Sequence, residues 1–254
     1  IVATLGPATS SKEVLKGMLE EGANVFRINF SHADYDDVTE RIKMIRELNE
    51  EYGFTAAILA DLQGPKLRVG VMKEEVVVNP DDEIIFATGE RFEGTKERVY
   101  MTYDRFPQDA KPGERILLDD GKLIFEVVST DKKSEVKAKV IQGGPLKSKK
   151  GVNLPNTKIS LPCLTPKDLA DLVVALEENA EWIGLSFVRK ASDVQELKDL
   201  IQKSNSTAKV VSKIEKPEAV VDIDEILQLT DAAMVARGDL GVEVPMQSVP
   251  LIQK

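Results

Sequence analysis

The chain is poor in the residues that staple or metallate small folds. One cysteine, Cys163, and one histidine, His32, occur in 254 residues. A single thiol forms no internal disulfide, and one of each leaves a Cys/His zinc site short of ligands. Any metal held here is therefore a hard ion bound by oxygen. Positive charge is also in deficit: 34 Lys and Arg against 43 Asp and Glu give a formal charge of −9. That balance argues against a general nucleic-acid surface and leaves room for a local basic pocket, so small phosphorylated ligands fit better than polymers. No apolar run approaches the roughly 18 residues of a membrane span, and the opening "IVATLGPATSS" has neither a basic region nor a cleavage-like site. The expected setting is the cytoplasm, with no membrane and no nucleic acid as partner.

What is present is a core and a pattern. At 42% hydrophobic residues the chain can bury one large or two ordinary domains. Short apolar runs alternate with helical periodicity: "IVATL", "NVFRINF" and "AAILAD", then after a long interval "WIGLSF", "KVVSKIE" and "AAMVARGD". Six such strands separated by helices predict a parallel α/β sheet. Helix starts are signalled by Ser10 with Glu13, by Ser192 with Gln195 and by Thr165-Pro166, and helix stops by Gly22 and Gly53.

Residues 71–156 differ. Alternating stretches such as "GERILLDDGKLIFEVVS" and "SEVKAKVIQGG", cut by turns such as Asp119-Asp120-Gly121, predict an all-β domain inserted into the first. The barrel-type domain then comprises 1–70 and 157–254. A closed (β/α)8 barrel takes about 250 residues and about 170 remain outside the insertion, so the fold class predicted is an incomplete TIM barrel of about six strands. The chain is expected to be a piece of a longer protein.

Parallel barrels carry their chemistry at the C-terminal strand ends. Those ends hold Arg27, Asn29, Ser31 and His32; Asp61, Lys66 and Arg68; Ser186, Phe187 and Arg189; Lys213 and Glu215; and Arg237, Gly238 and Asp239. In "SKIEK" the period of two points Lys213 and Glu215 the same way. The pair reads either as a structural ion pair or as a divalent-metal ligand beside a cation placed where negative charge develops. Asp239 supplies a second carboxylate, and Mg²⁺ needs no more than one or two from protein. Arg27 and Arg68 bring forks suited to phosphate, and Lys149-Lys150 lies where the inserted domain returns. Such a set is equipped for phosphoryl transfer, which needs positioning and charge neutralisation more than covalent help.

The stretches "KGMLEEGANVFRINFSH", "ILADLQGPKLR", "SKKGVNLP", "LSFVRKASDV", "KIEKPEAV" and "VARGDLGVEVP" resemble the pyruvate kinase family, in the family's order and over the whole chain. "RINFSH" and "ARGDLGVEVP" are the most specific of them. The resemblance implies transfer of the phosphoryl group of phosphoenolpyruvate to ADP, giving pyruvate and ATP with Mg²⁺ or Mn²⁺. It implies that Glu215 and Asp239 hold that ion and that Lys213 stabilises the phosphoryl group in flight and the enolate left behind. Arg27 would contact the phosphoryl group and the backbone at Gly238-Asp239 the substrate carboxylate. Asn29, Phe30, Ser31 and His32, with Arg68 and Lys150, would contact the nucleotide.

The family's potassium site corresponds to the side chains of Asn29, Ser31 and Asp61 and the carbonyl of Leu62. Many members carry Thr-Lys-Gly-Pro-Glu where this chain has Leu62-Gln63-Gly64-Pro65-Lys66. The Lys66 ammonium replaces by covalent means the charge a monovalent cation brings to that glutamate. The chain looks like the branch that works without potassium, and K⁺ is not expected to be required. By the same resemblance, two barrel strands with a threonine used in enolate protonation, and a C-terminal effector domain, lie beyond Lys254, and the parent protein is a homotetramer. Two other readings stay open: a Mg²⁺-dependent barrel lyase that stabilises an enolate, separated by a test of ADP dependence, and an inactive or truncated relative acting as an interaction protein.

Overall fold

Runs of Val, Ile and Leu extend in this chain, and stretches with apolar residues three and four apart coil. β1 (Val2–Thr4) leads to α1 (Lys12–Glu20), β2 (Val25–Asn29), α2 (Tyr35–Tyr52) and β3 (Ala57–Asp61). Then follow β4 (Val76–Val78), β5 (Glu83–Ala87), β6 (Arg98–Tyr100), the single turn α3 (Phe106–Asp109), β7 (Arg115–Leu118), β8 (Leu123–Thr130), β9 (Glu135–Gln142), β10 (Gly144–Leu146) and β11 (Val152–Asn153). The last part holds α4 (Pro166–Glu177), β12 (Trp182–Leu185), α5 (Ala191–Lys203), β13 (Lys209–Ile214), α6 (Pro217–Val221), α7 (Ile223–Leu229), β14 (Ala232–Val235), α8 (Arg237–Glu243) and α9 (Val249–Gln253). The computed structural model describes residues 1–254, the side chain of His32 excepted. Internal contacts divide the chain into two compact units, Ile1–Pro65 with Cys163–Val235, and Lys66–Pro162 with Ala236–Lys254.

The first unit is the parallel sheet that the six apolar runs predict, in the order β1-β2-β3-β12-β13-β14. It is the α/β architecture of an incomplete (β/α)8 barrel. Register sets the rim: Asn29 lies beside Asp61, and Asp61 beside Gly184. A Cβ on Gly184 would stand 3.1 Å from Asp61 Oδ1, so glycine is what lets that carboxylate sit between neighbouring strands. β12 and β13 are buried almost throughout, as a sheet covered on both faces requires. The cover comes from Val38, Ile42, Ile45 and Leu48 of α2 and from Val194, Leu197 and Ile201 of α5.

Helix starts follow local hydrogen bonding more closely than the sequence pattern alone predicts. α4 begins as expected, with Thr165 as N-cap, Pro166 in the first turn and Asp168 completing the box. α1 is capped by Ser11, because the Ser10 hydroxyl donates to Pro7 O within the preceding 3₁₀ turn. α5 starts upstream of Ser192, because Asp193 accepts from the amides of Arg189 and Lys190 and draws the first turn back. Gly53 ends α2 at φ +73°, where a side chain would strain the backbone.

In the second unit the strands order as β11-β7-β8-β9-β5-β6, with β10 and β4 forming a separate antiparallel pair. β8 and β9 alternate buried and exposed residues, the pattern of a sheet with one wet face. Phe86 packs edge-to-face on Phe125 and Phe106, at 5.3 and 6.3 Å between ring centres. The expected Asp119-Asp120-Gly121 turn joins β7 to β8 through three left-handed residues, φ 51, 58 and 80°. Within residues 71–156 the elements are strands apart from the single turn α3, and β5 pairs with β6 in parallel. α8 belongs to this unit, tied to β11 by Asn153 Nδ2 donating to Glu243 Oε1 at 2.8 Å. Among the described residues no helix is long and apolar enough to cross a membrane.

Candidate active site

Five strands of the first unit bring charged and polar groups to one rim. Lys213, at the end of β13, directs its Nζ to Glu215 Oε1 at 2.9 Å, to Asp61 Oδ1 at 3.2 Å and to Ser186 Oγ at 2.7 Å. The ammonium donates a hydrogen bond to Ser186 and forms ion pairs with the two carboxylates. Asp61 is 2% exposed, Glu215 1% and Lys213 9%, so the cluster is almost dry. Burial works against the charge on Lys213, yet Glu215 and then Asp61 outweigh it and hold its pKa above the ordinary 10.5. The second oxygen of Asp61 accepts from Arg27 Nε at 2.6 Å and pairs with its Nη2, while Arg27 Nη1 donates to Thr4 Oγ1 at 3.0 Å. The geometry is that of a fixed ammonium and a fixed guanidinium sharing one carboxylate.

The segment after β3 completes this rim. Ser186 donates to Leu62 O at 2.7 Å while accepting from Lys213, and the Leu62 amide donates to Gly184 O at 3.0 Å. Gly64 has φ +69°, and a Cβ there would stand 2.8 Å from Phe187 Cδ2. Phe187 itself is left-handed at φ 55°, and its amide donates to Glu215 Oε2 at 3.1 Å. Strained backbone therefore gathers where β3 and β12 end.

The other predicted residues divide between the units. Asn29 ends β2, and its Oδ1 accepts from the Ser31 amide at 3.0 Å, which turns the chain at Phe30. The Phe30 ring is fully buried in the core, so only its main chain is left to meet a ligand, and its carbonyl already accepts from Lys167 Nζ at 2.7 Å. The side chain of His32 lies outside the described residues. In the second unit Arg68 pairs with Gly151 across a β-bridge, and its Nη1 donates to Lys149 O at 3.0 Å. Lys150 Nζ stands 2.9 Å from Asp119 Oδ1. Backbone pairing thus brings the segments carrying Arg68 and Lys150 side by side. Lys66 is exposed and belongs to this unit, as do the exposed Gly238 and Asp239 in the first turn of α8.

Two roles go beyond a reading of strand ends. Ser186, one of the strand-end residues, is the hub that joins Lys213 to the Leu62 carbonyl, although a serine after an apolar run carries no signal of that role. Asp168 accepts from the Gly64 amide at 2.9 Å across 104 residues, where the sequence shows only a capping box. Cys163 is excluded as a nucleophile: it is buried, and burial raises its thiol pKa well above the ordinary value.

The donors suit some ions better than others. Glu215 and Asp239 are hard carboxylates of the kind Mg²⁺ takes, and among the described residues no cluster of three or more His, Cys, Asp or Glu could hold a metal by protein alone. Three of the four groups matched to a monovalent-cation site are already engaged: both Asp61 oxygens by Arg27 and Lys213, Leu62 O by Ser186, and Asn29 Oδ1 by the amide of Ser31.

Comparison with known proteins adds a family to this geometry. The family model for the pyruvate kinase barrel domain matches residues 1–254. The chain is 44% identical over 254 residues to a pyruvate kinase of Corynebacterium glutamicum, covering 100% of this chain and 53% of that protein. It is 43% identical over 256 residues to the pyruvate kinase of Geobacillus stearothermophilus, covering 44% of it, and 41% identical over 254 residues to that of Mycobacterium tuberculosis, covering 54%. The chain spans about half the length of the curated relatives it matches.

Proposed function

Because the chain belongs to the pyruvate kinase family, we propose that the protein carrying it transfers the phosphoryl group of phosphoenolpyruvate to ADP, giving pyruvate and ATP. The observation that carries this reading is the Lys213 ammonium, buried and held by Asp61, Glu215 and Ser186. A charge fixed before the substrate arrives needs no reorganisation as the phosphoryl group moves, and in a dry site it acts more strongly than in water. Lys213 stabilises the group in flight and the enolate oxygen left behind. Arg27, oriented by Asp61 and Thr4, steadies the phosphoryl oxygens through its fork. The backbone at Gly238-Asp239 takes the substrate carboxylate. Asn29, Ser31, His32, the main chain of Phe30, Arg68 and Lys150 serve the nucleotide phosphates.

Glu215 and Asp239 would hold Mg²⁺, or Mn²⁺ in its place, which when bound neutralises charge on phosphate and carboxylate oxygens. No K⁺ requirement is proposed. Support comes from the protein donors already on Asp61, Leu62 and Asn29 and from a lysine at position 66. The proposed setting is the cytoplasm and the proposed assembly a homotetramer.

The test is pyruvate formation by the full-length protein with Mg²⁺, with and without ADP, in K⁺ or in a bulky organic cation. ADP-dependent turnover in both cations is expected. Turnover without ADP would favour a lyase, turnover only in K⁺ would overturn the potassium reading, and no turnover by folded protein would overturn the activity.

A further inference from the structure

The N-terminus of α4 does more than start a helix. Asp168 is fully buried, and its three hydrogen-bond partners are all uncharged: the amide and hydroxyl of Thr165 at 2.8 and 2.5 Å on Oδ2, and the Gly64 amide at 2.9 Å on Oδ1. Capping alone is met by Oδ2 and Thr165 at a surface position. A buried carboxylate is costly unless every lone pair is used, and here the remaining oxygen is spent on a residue 104 positions away. Gly64 is the residue whose φ and surroundings admit no side chain, so its amide is a fixed point.

From Gly64 the chain runs back two residues to Leu62, whose carbonyl accepts from Ser186, and Ser186 accepts from Lys213 Nζ. Every link is a short hydrogen bond or a peptide unit, and all of it lies in the first unit. Resting on the function proposed above, we infer that Asp168 is a positioning residue for phosphoryl transfer: through Gly64 it fixes the Leu62 carbonyl, and through Ser186 it sets where the Lys213 ammonium stands. A displaced ammonium stabilises the moving charge less while leaving substrate binding largely intact, so the loss falls on kcat more than on KM.

The test compares Asp168→Ala, Asp168→Asn, Thr165→Ala, Ser186→Ala and the double variant Asp168→Ala/Ser186→Ala in the full-length protein. Thr165→Ala removes the cap hydroxyl and leaves Gly64 held; it is expected to lower Tm with kcat unchanged. Asp168→Ala is expected to lower kcat about tenfold with both KM values within about twofold, and to speed amide exchange at Gly64, which Thr165→Ala does not. Asp168→Asn, with one oxygen for two donor sites, falls between, and it carries the test if the alanine variant does not fold. The double variant is expected to lose no more kcat than the larger single, because both cut the same chain of contacts. Losses that multiply, or an Asp168→Ala enzyme with lowered Tm and unchanged kcat, would overturn the inference while unmutated turnover stands. No turnover by the unmutated protein would overturn the functional reading and this inference with it.

Discussion

The rim of the first unit and the wet sheet face of the second use charge in opposite ways. In the first, Asp61, Lys213 and Glu215 lie buried and locked, and the side chains of Asp61 and Glu215 are at most 2% exposed. In the second, pairs such as Lys137–Glu83 and Arg98–Glu135 lie on the wet face of the sheet with side chains 36 to 56% exposed. A buried cluster is expensive to assemble and severe to break, whereas a surface pair gains little against solvent and salt. The difference teaches that ion pairs at similar distances are not equivalent. Burial decides what breaking one costs.

Removing the central ammonium should break that contrast most visibly. Lys213→Met takes the ammonium from Glu215 and leaves Asp61 with Arg27 alone. In a pyruvate-forming assay on the full-length protein, kcat is expected to fall by about 10²–10³-fold, the scale of losing one preorganised electrostatic group. The same variant should lose about 3–5 kcal/mol in urea unfolding, because uncompensated buried charge remains. A variant with normal stability and normal kcat would make the cluster no different from the surface pairs.

Backbone strain offers a second comparison. Gly64→Ala forces a side chain to φ +69° and against Phe187 Cδ2 at 2.8 Å, whereas a Cβ on Gly151 in the second unit would meet nothing within 4 Å. The first is expected to cost about 1–3 kcal/mol and the second less than about 0.5 kcal/mol by urea midpoint. Equal costs would mean that the rim tolerates movement at Gly64, which would also weaken the path from Asp168.

How much of this was written in the chain depends on the range of each contact. The six parallel strands were legible because each apolar run buries its own faces, and the side shared by Lys213 and Glu215 follows from a period of two. Thr165-Pro166 announced α4 because capping is a matter of three residues. Ser10 and Ser192 misled, since a neighbouring turn claimed one hydroxyl and Asp193 moved the other helix start. The bond from Asp168 to Gly64 was not legible: its partners are 104 residues apart, and nothing in a capping box tells where the spare oxygen points. Ser186 is similar, its role coming from the register that sets β12 between β3 and β13.

On the wet face the effects shrink. Lys137→Ala, which removes the partner 2.8 Å from Glu83, is expected to cost at most about 1 kcal/mol and to cost less as salt is raised. A salt-independent loss would mean that the lysine stem, packed on the sheet, matters more than its charge.

The smallest effect expected is one of pH, at the turn between β8 and β9. Asp131 accepts from the amide of Glu135 and from those of Lys133 and Ser134, which lowers its pKa from the ordinary 3.8 to about 2. A carboxyl whose folded pKa is depressed stabilises the fold while ionised in both states, so its contribution is whole above about pH 4 and declines as pH falls from there towards about 2. Asp131→Asn should therefore lower Tm slightly at pH 6, and the gap to the unmutated protein should narrow between pH 4 and pH 2.5. A gap that stays constant with pH would show that the turn is held by shape, which asparagine retains. In that case even the most strongly hydrogen-bonded carboxylate on this surface would contribute nothing through its charge, and the contrast with the buried rim would be sharper still.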